Sequence, residues 1–380
     1  MKIGLVVYGS LDRRSGGFLY DRVLANGLEA RGHTVRLLSQ PEGIYAHQLL
    51  RGTSPDPAIL AAVDELDILL EDELNHPSLL GTNRAIRKRG GFRAHPNGAR
   101  DKTQPSPGCR LVGIVHHLRS DEALSPINRW ISRNAERWFL GQLDGAIYNS
   151  KTTAVSVARG APGISIPSVV APPGVVTNAG DRCRPNAASL PAGALQPGAL
   201  RLLFVGNVIP RKGLLELIGA LGQLKPEERR RAQLTVAGGL EADPGYVHRV
   251  RAAVDRLGGE GGVHILGRVN DDELRDLYRT HDVLAAPSHY EGYGMVYAEA
   301  QHHGLAVLAG RGGAGPEVVV EGKTGFLVDP RRPRTILQAL ERFLEEPALV
   351  RRMGQAGMAA PVQRWEDTVE AVETFLLELI

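Results

Sequence analysis

Two short stretches concentrate residues able to grip an anion and a polyol. In residues 206–213, Gly-Asn-Val-Ile-Pro-Arg-Lys-Gly, two glycines bound a loop that presents Arg211 and Lys212 just before a helical pattern begins. Backbone N–H groups at a helix start, the fork of a guanidinium and the point charge of an ammonium all suit phosphate oxygens. Taken alone, this loop reads equally well as a solvated basic turn. The second stretch, residues 287–299, runs Pro-Ser-His-Tyr-Glu-Gly-Tyr-Gly-Met-Val-Tyr-Ala-Glu from an apolar strand pattern into a helix, and sets Glu291 and Glu299 eight positions apart. Carboxylates accept hydrogen bonds from vicinal hydroxyls, so one acid can serve a sugar and the other a ribose, while the helix N-terminus between them favours a diphosphate. Helix capping accounts for Glu291 by itself but not for the whole string.

Other candidates are weaker. Glu71-Asp72-Glu73-Leu74-Asn75-His76-Pro77 gathers acids around an imidazole after a strand pattern, and reads either as an acceptor-recognition loop or as a solvated turn. The two cysteines, Cys109 and Cys183, lie in Pro- and Gly-rich sequence without CxxC spacing or paired histidines, so neither a metal site nor a disulfide is expected. The loop after residues 3–8 lacks GxGxxG, which argues against a nicotinamide-dependent oxidoreductase.

The elements that must hold these loops follow from the apolar patterning. Residues 3–7 read as a strand, 19–30 as a helix and 34–38 as a strand, a βαβ opening. Strands at 68–70, 111–115 and 146–148 and a helix at 126–140 continue the first half. A second series has strands at 201–205, 233–237, 263–266, 283–286, 306–309 and 326–328, with helices at 214–224, 246–257, 271–280 and about 294–303. Alternation of this kind makes parallel sheets, whose ligands bind beyond the carboxyl ends of the strands. The chain therefore divides into a Rossmann-like domain over 1–177, a Pro-, Ala- and Gly-rich linker over 178–199, a second such domain over 200–361, and a terminal helix over 362–380. Residues 90–108 read as a surface loop.

Composition agrees with a packed α/β protein: 380 residues, 43% hydrophobic and 23% charged, exceed one ordinary core. A formal charge of +3, from 45 Lys and Arg against 42 Asp and Glu, gives no nucleic-acid bias. The opening residues read as a strand, not a signal peptide, and no apolar run reaches bilayer length, so a cytoplasmic protein is expected, with peripheral membrane contact left open.

The sequence resembles glycosyltransferase family 4, retaining enzymes of the GT-B fold, whose signature is a pair of glutamates spaced as Glu291 and Glu299 are. The likeness extends over 206–213, over 304–309 with Gly312, Gly313, Pro316 and Glu317, over 321–328, and more loosely over Ser15-Gly16-Gly17 and 28–35. It implies two doubly wound Rossmann-like domains facing a central cleft, and transfer of a sugar from a UDP- or GDP-type nucleotide-diphosphate sugar to a small-molecule, glycan or lipid-linked acceptor. It implies further that Arg211 and Lys212 neutralise the diphosphate near Gly206, Glu291 meets the transferred sugar and Glu299 the ribose. The backbone of Gly292, Tyr293, Gly294, Met295 and Val296 adds contacts, Arg268 and Val269 lie near the base, and Gly16 and Gly17 close on the phosphate or acceptor. The family's histidine after a strand of the first domain matches His116, with His117 where an acid often stands; either ring is a candidate. No cofactor or metal is implied, and Trp365 becomes a hinge contact of the last helix. A sugar-nucleotide hydrolase or epimerase on the same scaffold is the alternative.

Overall fold

The computed structural model describes residues 1–12, 15–89, 108–176, 199–258 and 262–380. The 178–199 linker, Cys183 and the 90–108 loop lie wholly or almost wholly outside them. Two compact units emerge, Met1–Gly174 together with Arg364–Ile380, and Val175–Gln363.

The first unit carries β1 (Lys2–Tyr8), α1 (Gly16–Ala30), β2 (Thr34–Gln40), α2 (Tyr45–Arg51), α3 (Pro57–Val63), β3 (Ile68–Asp72), α4 (His76–Arg89), β4 (Arg110–Val115), α5 (Pro126–Leu140), β5 (Gly145–Tyr148), α6 (Lys151–Gly160) and β6 (Ser168–Val170). Its sheet is wholly parallel in the order β2-β1-β3-β4-β5-β6. Five consecutive residues of β1 and all five of β3 are buried. Burial on both faces of a helix-covered parallel sheet explains why these strands read as unbroken apolar runs and not as alternation.

The second unit holds β7 (Leu200–Val205), α7 (Leu214–Gln223), α8 (Pro226–Arg230), β8 (Ala232–Ala237), α9 (Pro244–Arg256), β9 (Val263–Gly267), α10 (Asp271–Thr280), β10 (Val283–Ala286), α11 (Met295–His302), β11 (Ala306–Gly310), α12 (Gly315–Val318), β12 (Gly325–Val328), α13 (Pro333–Glu345) and α14 (Pro347–Met358). Its parallel order is β12-β11-β10-β7-β8-β9. The outermost β9 alternates half-buried and exposed positions, as an edge strand covered on one face should. Asn270 starts α10 through a capping box with Glu273. The last helix, α15 (Trp365–Leu379), belongs to the first unit and packs on α1, where Trp365 lies edge-on to Tyr20 with centroids 5.7 Å apart. Among the described residues, no helix is long and apolar enough to cross a membrane.

One reading of the sequence is overturned here. The string 71–77 is no solvated turn: Glu71, Asp72, Glu73, Asn75 and His76 are all buried, and α4 begins at His76.

Candidate active site

In a doubly wound sheet the crevice opens where successive strands change direction across the sheet. In the second unit the chain runs outward from β7 to β9, then returns to add β10 on the other side of β7, so the switch lies between β7 and β10. Both stretches singled out by sequence leave the sheet here. The loop after β7 forms one 3₁₀ turn, Pro210–Lys212, and ends at Gly213, whose φ of 73° and position forbid a side chain: a Cβ there would lie 2.1 Å from the Pro287 carbonyl oxygen. The two loops are also tied by the His289 N–H, which donates to the Arg211 carbonyl at 2.8 Å.

This contact brings the charges together. Lys212 Nζ lies 2.6 Å from Glu291 Oε1, and Arg211 Nη1 donates to the Tyr290 carbonyl at 2.8 Å while standing 3.6 Å from Glu291 Oε2. Ser288 Oγ, which the sequence reading missed, donates to the same Oε1 at 2.6 Å. Burial alone pushes the Glu291 carboxyl up, but the Lys212 and Arg211 charges, with the bonds from Lys212 and Ser288, outweigh it and hold it at about 2. Burial also lowers Lys212, against the opposing pull of Glu291. At neutral pH, Glu291 is therefore an acceptor of hydrogen bonds and not a proton donor. Two cations against one carboxylate leave local positive charge for an anion.

Gly292 and Tyr293 connect Glu291 to Gly294, which adopts φ 92° and opens α11. The first intrahelical bond is donated by Tyr297 to Gly294, so the Met295 and Val296 N–H groups precede the helical ladder and carry its positive dipole end. Tyr297 anchors the helix by donating to the Ala286 carbonyl at 2.8 Å. Further along α11, Glu299 accepts from Tyr278 at 2.7 Å, and Tyr278 in turn stacks on His303 with centroids 5.2 Å apart. Burial raises the Glu299 carboxyl while the Tyr278 bond opposes the rise.

Gly206 closes β7 beside the Lys212 stem. Arg268 and Val269 follow β9, two strands from the cations; Arg268 Nε pairs with Glu241 Oε1 at 3.1 Å on the surface. Asn207 reaches the same corner, since a Cβ on Gly239 would meet Asn207 Oδ1 and Glu241 Oε2 at 2.8 Å each. Sequence spacing could not single out Glu241 or Tyr278, because each comes from a loop or helix outside the two stretches; Asn207 lies within residues 206–213 but was given no role there.

In the first unit the switch lies between β1 and β3. A cavity of about 210 Å³ opens there, lined by Tyr8, Phe18, Tyr45, Gln48, Leu74 and Arg119 among others. The Arg119 guanidinium stacks 4.3 Å above the Tyr45 ring. Gly16 opens α1, and Gly17 lies against His116, whose Cδ2 a Cβ at that position would approach to 3.2 Å. His116 is buried beneath it, with Nε2 3.3 Å from Asp21 Oδ1 and its ring edge-on to Tyr20. Its neighbour His117 turns elsewhere, to Glu122 Oε1 at 2.9 Å. Asp21, Asp72 and His116 bring ligand atoms within 4.8 Å of one another, the geometry of a cation site. Burial raises Asp21 to about 7 and Asp72 to about 8. Burial likewise lowers His116, so its ring is neutral.

Residues 191–359, most of the second unit, match the family model for glycosyl transferases group 1. The D-inositol 3-phosphate glycosyltransferase of Streptomyces avermitilis is 30% identical over 262 residues, 66% of this chain and 50% of that protein. The protein of the same name from Streptomyces scabiei is 32% identical over 269 residues, 68% of this chain and 54% of that protein. The chain thus spans about half the length of these curated relatives. Among solved structures, Anabaena HepE in complex with UDP and glucose superposes with a TM-score of 0.73 at 17% identity, covering 100% of both chains. Sucrose-phosphate synthase from Thermosynechococcus elongatus gives 0.70 at 20% identity, covering 100% of this chain and 97% of its own. At such identities the likeness is one of fold, two doubly wound Rossmann-like units of the GT-B class.

Proposed function

We propose that the chain is a retaining glycosyltransferase, moving a sugar from a UDP- or GDP-type nucleotide-diphosphate sugar to a hydroxyl acceptor. The observation that carries this reading is the convergence of Arg211 and Lys212 on Glu291 at the β7/β10 switch, beside the tip of α11. A donor diphosphate carries more negative charge than one carboxylate, so the two cations and the α11 N–H groups can hold it while Glu291 turns its free lone pairs to a sugar hydroxyl. Glu299 receives the ribose, and the Asn207, Glu241 and Arg268 corner lies toward the base.

Chemistry then rests on the leaving group. As the bond from the anomeric carbon to the diphosphate oxygen breaks, charge grows on that oxygen, and Arg211 and Lys212 stabilise it in place. The acceptor oxygen bonds to the same face of the sugar, and its proton passes to the departing phosphate oxygen, which preserves the anomeric configuration. Gly16 and Gly17 are assigned to the phosphate or the acceptor, and His116 or His117 to the donor sugar or its phosphate. The aromatic cavity of the first unit, with Gln48 and Arg119 in its wall, suits a polyol bearing an anionic group; the curated relatives' name, D-inositol 3-phosphate glycosyltransferase, is consistent with that class.

The test is a melting panel with UDP-, GDP- and ADP-sugars, followed by turnover with and without polyol phosphates. One donor should raise the melting temperature, since a ligand bound only by the folded state stabilises it. Lys212→Ala should lower kcat by about 10²–10³-fold. A panel that moves nothing sinks the proposal, and donor consumption that ignores every acceptor favours a hydrolase or epimerase.

A further inference from the structure

Helix α5 turns Ser132, Ala135, Glu136 and Phe139 inward, which leaves the opposite stripe to solvent. That stripe carries two large apolar side chains, Ile127 at 72% and Trp130 at 68% exposure, and one flank of it carries Arg129, Arg133 and Arg137, all exposed. A single exposed apolar residue is ordinary, but an indole and an isoleucine one turn apart beside three guanidinium groups form a patch of defined character. The only acid on α5, Glu136, is buried and accepts from the Ser120 N–H at 2.9 Å, so nothing on the helix cancels its outward charge. The neighbouring α4, which packs on α5, adds exposed Arg84 and Lys88.

We propose that this outer face of α5 docks the protein on an anionic lipid bilayer, with Trp130 and Ile127 entering the headgroup boundary and Arg129, Arg133 and Arg137 lying on the lipid phosphates. An amphipathic helix with an aromatic anchor and a basic flank lies in the interface plane, held by buried apolar area and by attraction to anionic lipid. Trp suits that depth because its ring is apolar while its N–H can stay wet. A second copy of the chain is the poorer occupant, since a two-fold contact through this face would set guanidinium groups against guanidinium groups. The proposal does not depend on the glycosyl-transfer reading and can fail separately from it.

The experiment is co-sedimentation of the full chain with vesicles of phosphatidylcholine alone or mixed with phosphatidylglycerol. Binding to the mixed vesicles only, released by added salt, is expected. Arg133→Gln and Arg137→Gln should each weaken partitioning about fivefold, the effect of one cation near a charged surface. Trp130→Ser should reduce it further, and brominated lipid should quench wild-type fluorescence more than that of Trp130→Phe. All four substitutions are at the surface, so unchanged melting temperatures separate lost docking from lost folding. The proposal is overturned if mixed and neutral vesicles bind alike, if neither binds, if the variants partition as the wild type does, or if the chain instead self-associates without lipid in a Trp130-dependent way.

Discussion

Single carboxyl groups in this protein respond to burial in opposite ways, and the difference lies in what stands beside them. Glu291 is buried against Lys212 and Arg211, so its folded value falls to about 2; it contributes stability above its ordinary 4.5 that disappears as pH drops through 2. Asp72 is buried against Asp21, a second acid, and its folded value rises to about 8. Its contribution has the reverse sign: it is fully present below the ordinary 3.8 and is lost as pH rises through about 8, because the unfolded chain releases the proton first. The first unit should therefore lose stability steadily across that window. Asp72→Asn, which keeps a hydrogen-bonding group without the ionisation, should flatten the loss. Denaturant unfolding at several pH values checks this, and parallel curves for wild type and variant would refute it.

At the scale of elements, the strands and several helices were legible because their burial is simple. Residues 126–140, 271–280 and 283–286 form α5, α10 and β10 with the boundaries read from periodicity. By contrast α4 could be given no bounds, since it turns His76, Ser78, Thr82 and Asn83 inward along with Leu79 and Ile86, and leaves no clean apolar stripe. Those inward polar groups find partners: His76 bonds Tyr45 and the Glu73 carbonyl, and Asn83 bonds Glu71. Resemblance made Trp365 a hinge contact of a last helix that returns to the first domain; α15 belongs to the first unit, and Trp365, 8% exposed, lies one residue past the unit boundary, its backbone nitrogen 2.2 Å from where a Cβ on Gly174 would stand. Trp365→Ala should cost the first unit about 3–5 kcal/mol by leaving a cavity, measurable by urea unfolding followed through first-unit amides. A loss of turnover with unchanged unfolding would instead favour the hinge role.

For the whole molecule, each unit has its own sheet and core, so ligands should act on them separately. A bound nucleotide should slow hydrogen exchange at 206–213 and 287–296 and raise the stability of the second unit by mass action. Protection confined to the first unit would contradict the assignment of the donor site.

The sequence by itself determined the alternation of strand and helix, the two doubly wound units and the cationic and glutamate-bearing loops, because each of these is written in local pattern or short spacing. Tertiary structure alone decided that Ser288 joins Lys212 on Glu291, that Tyr278 holds Glu299, and that Asp21, Asp72 and His116 form one buried cluster. Spacing along a chain names residue types, but depth from water and the meeting of distant loops, which set charge and proton affinity, exist only once the sheets have formed.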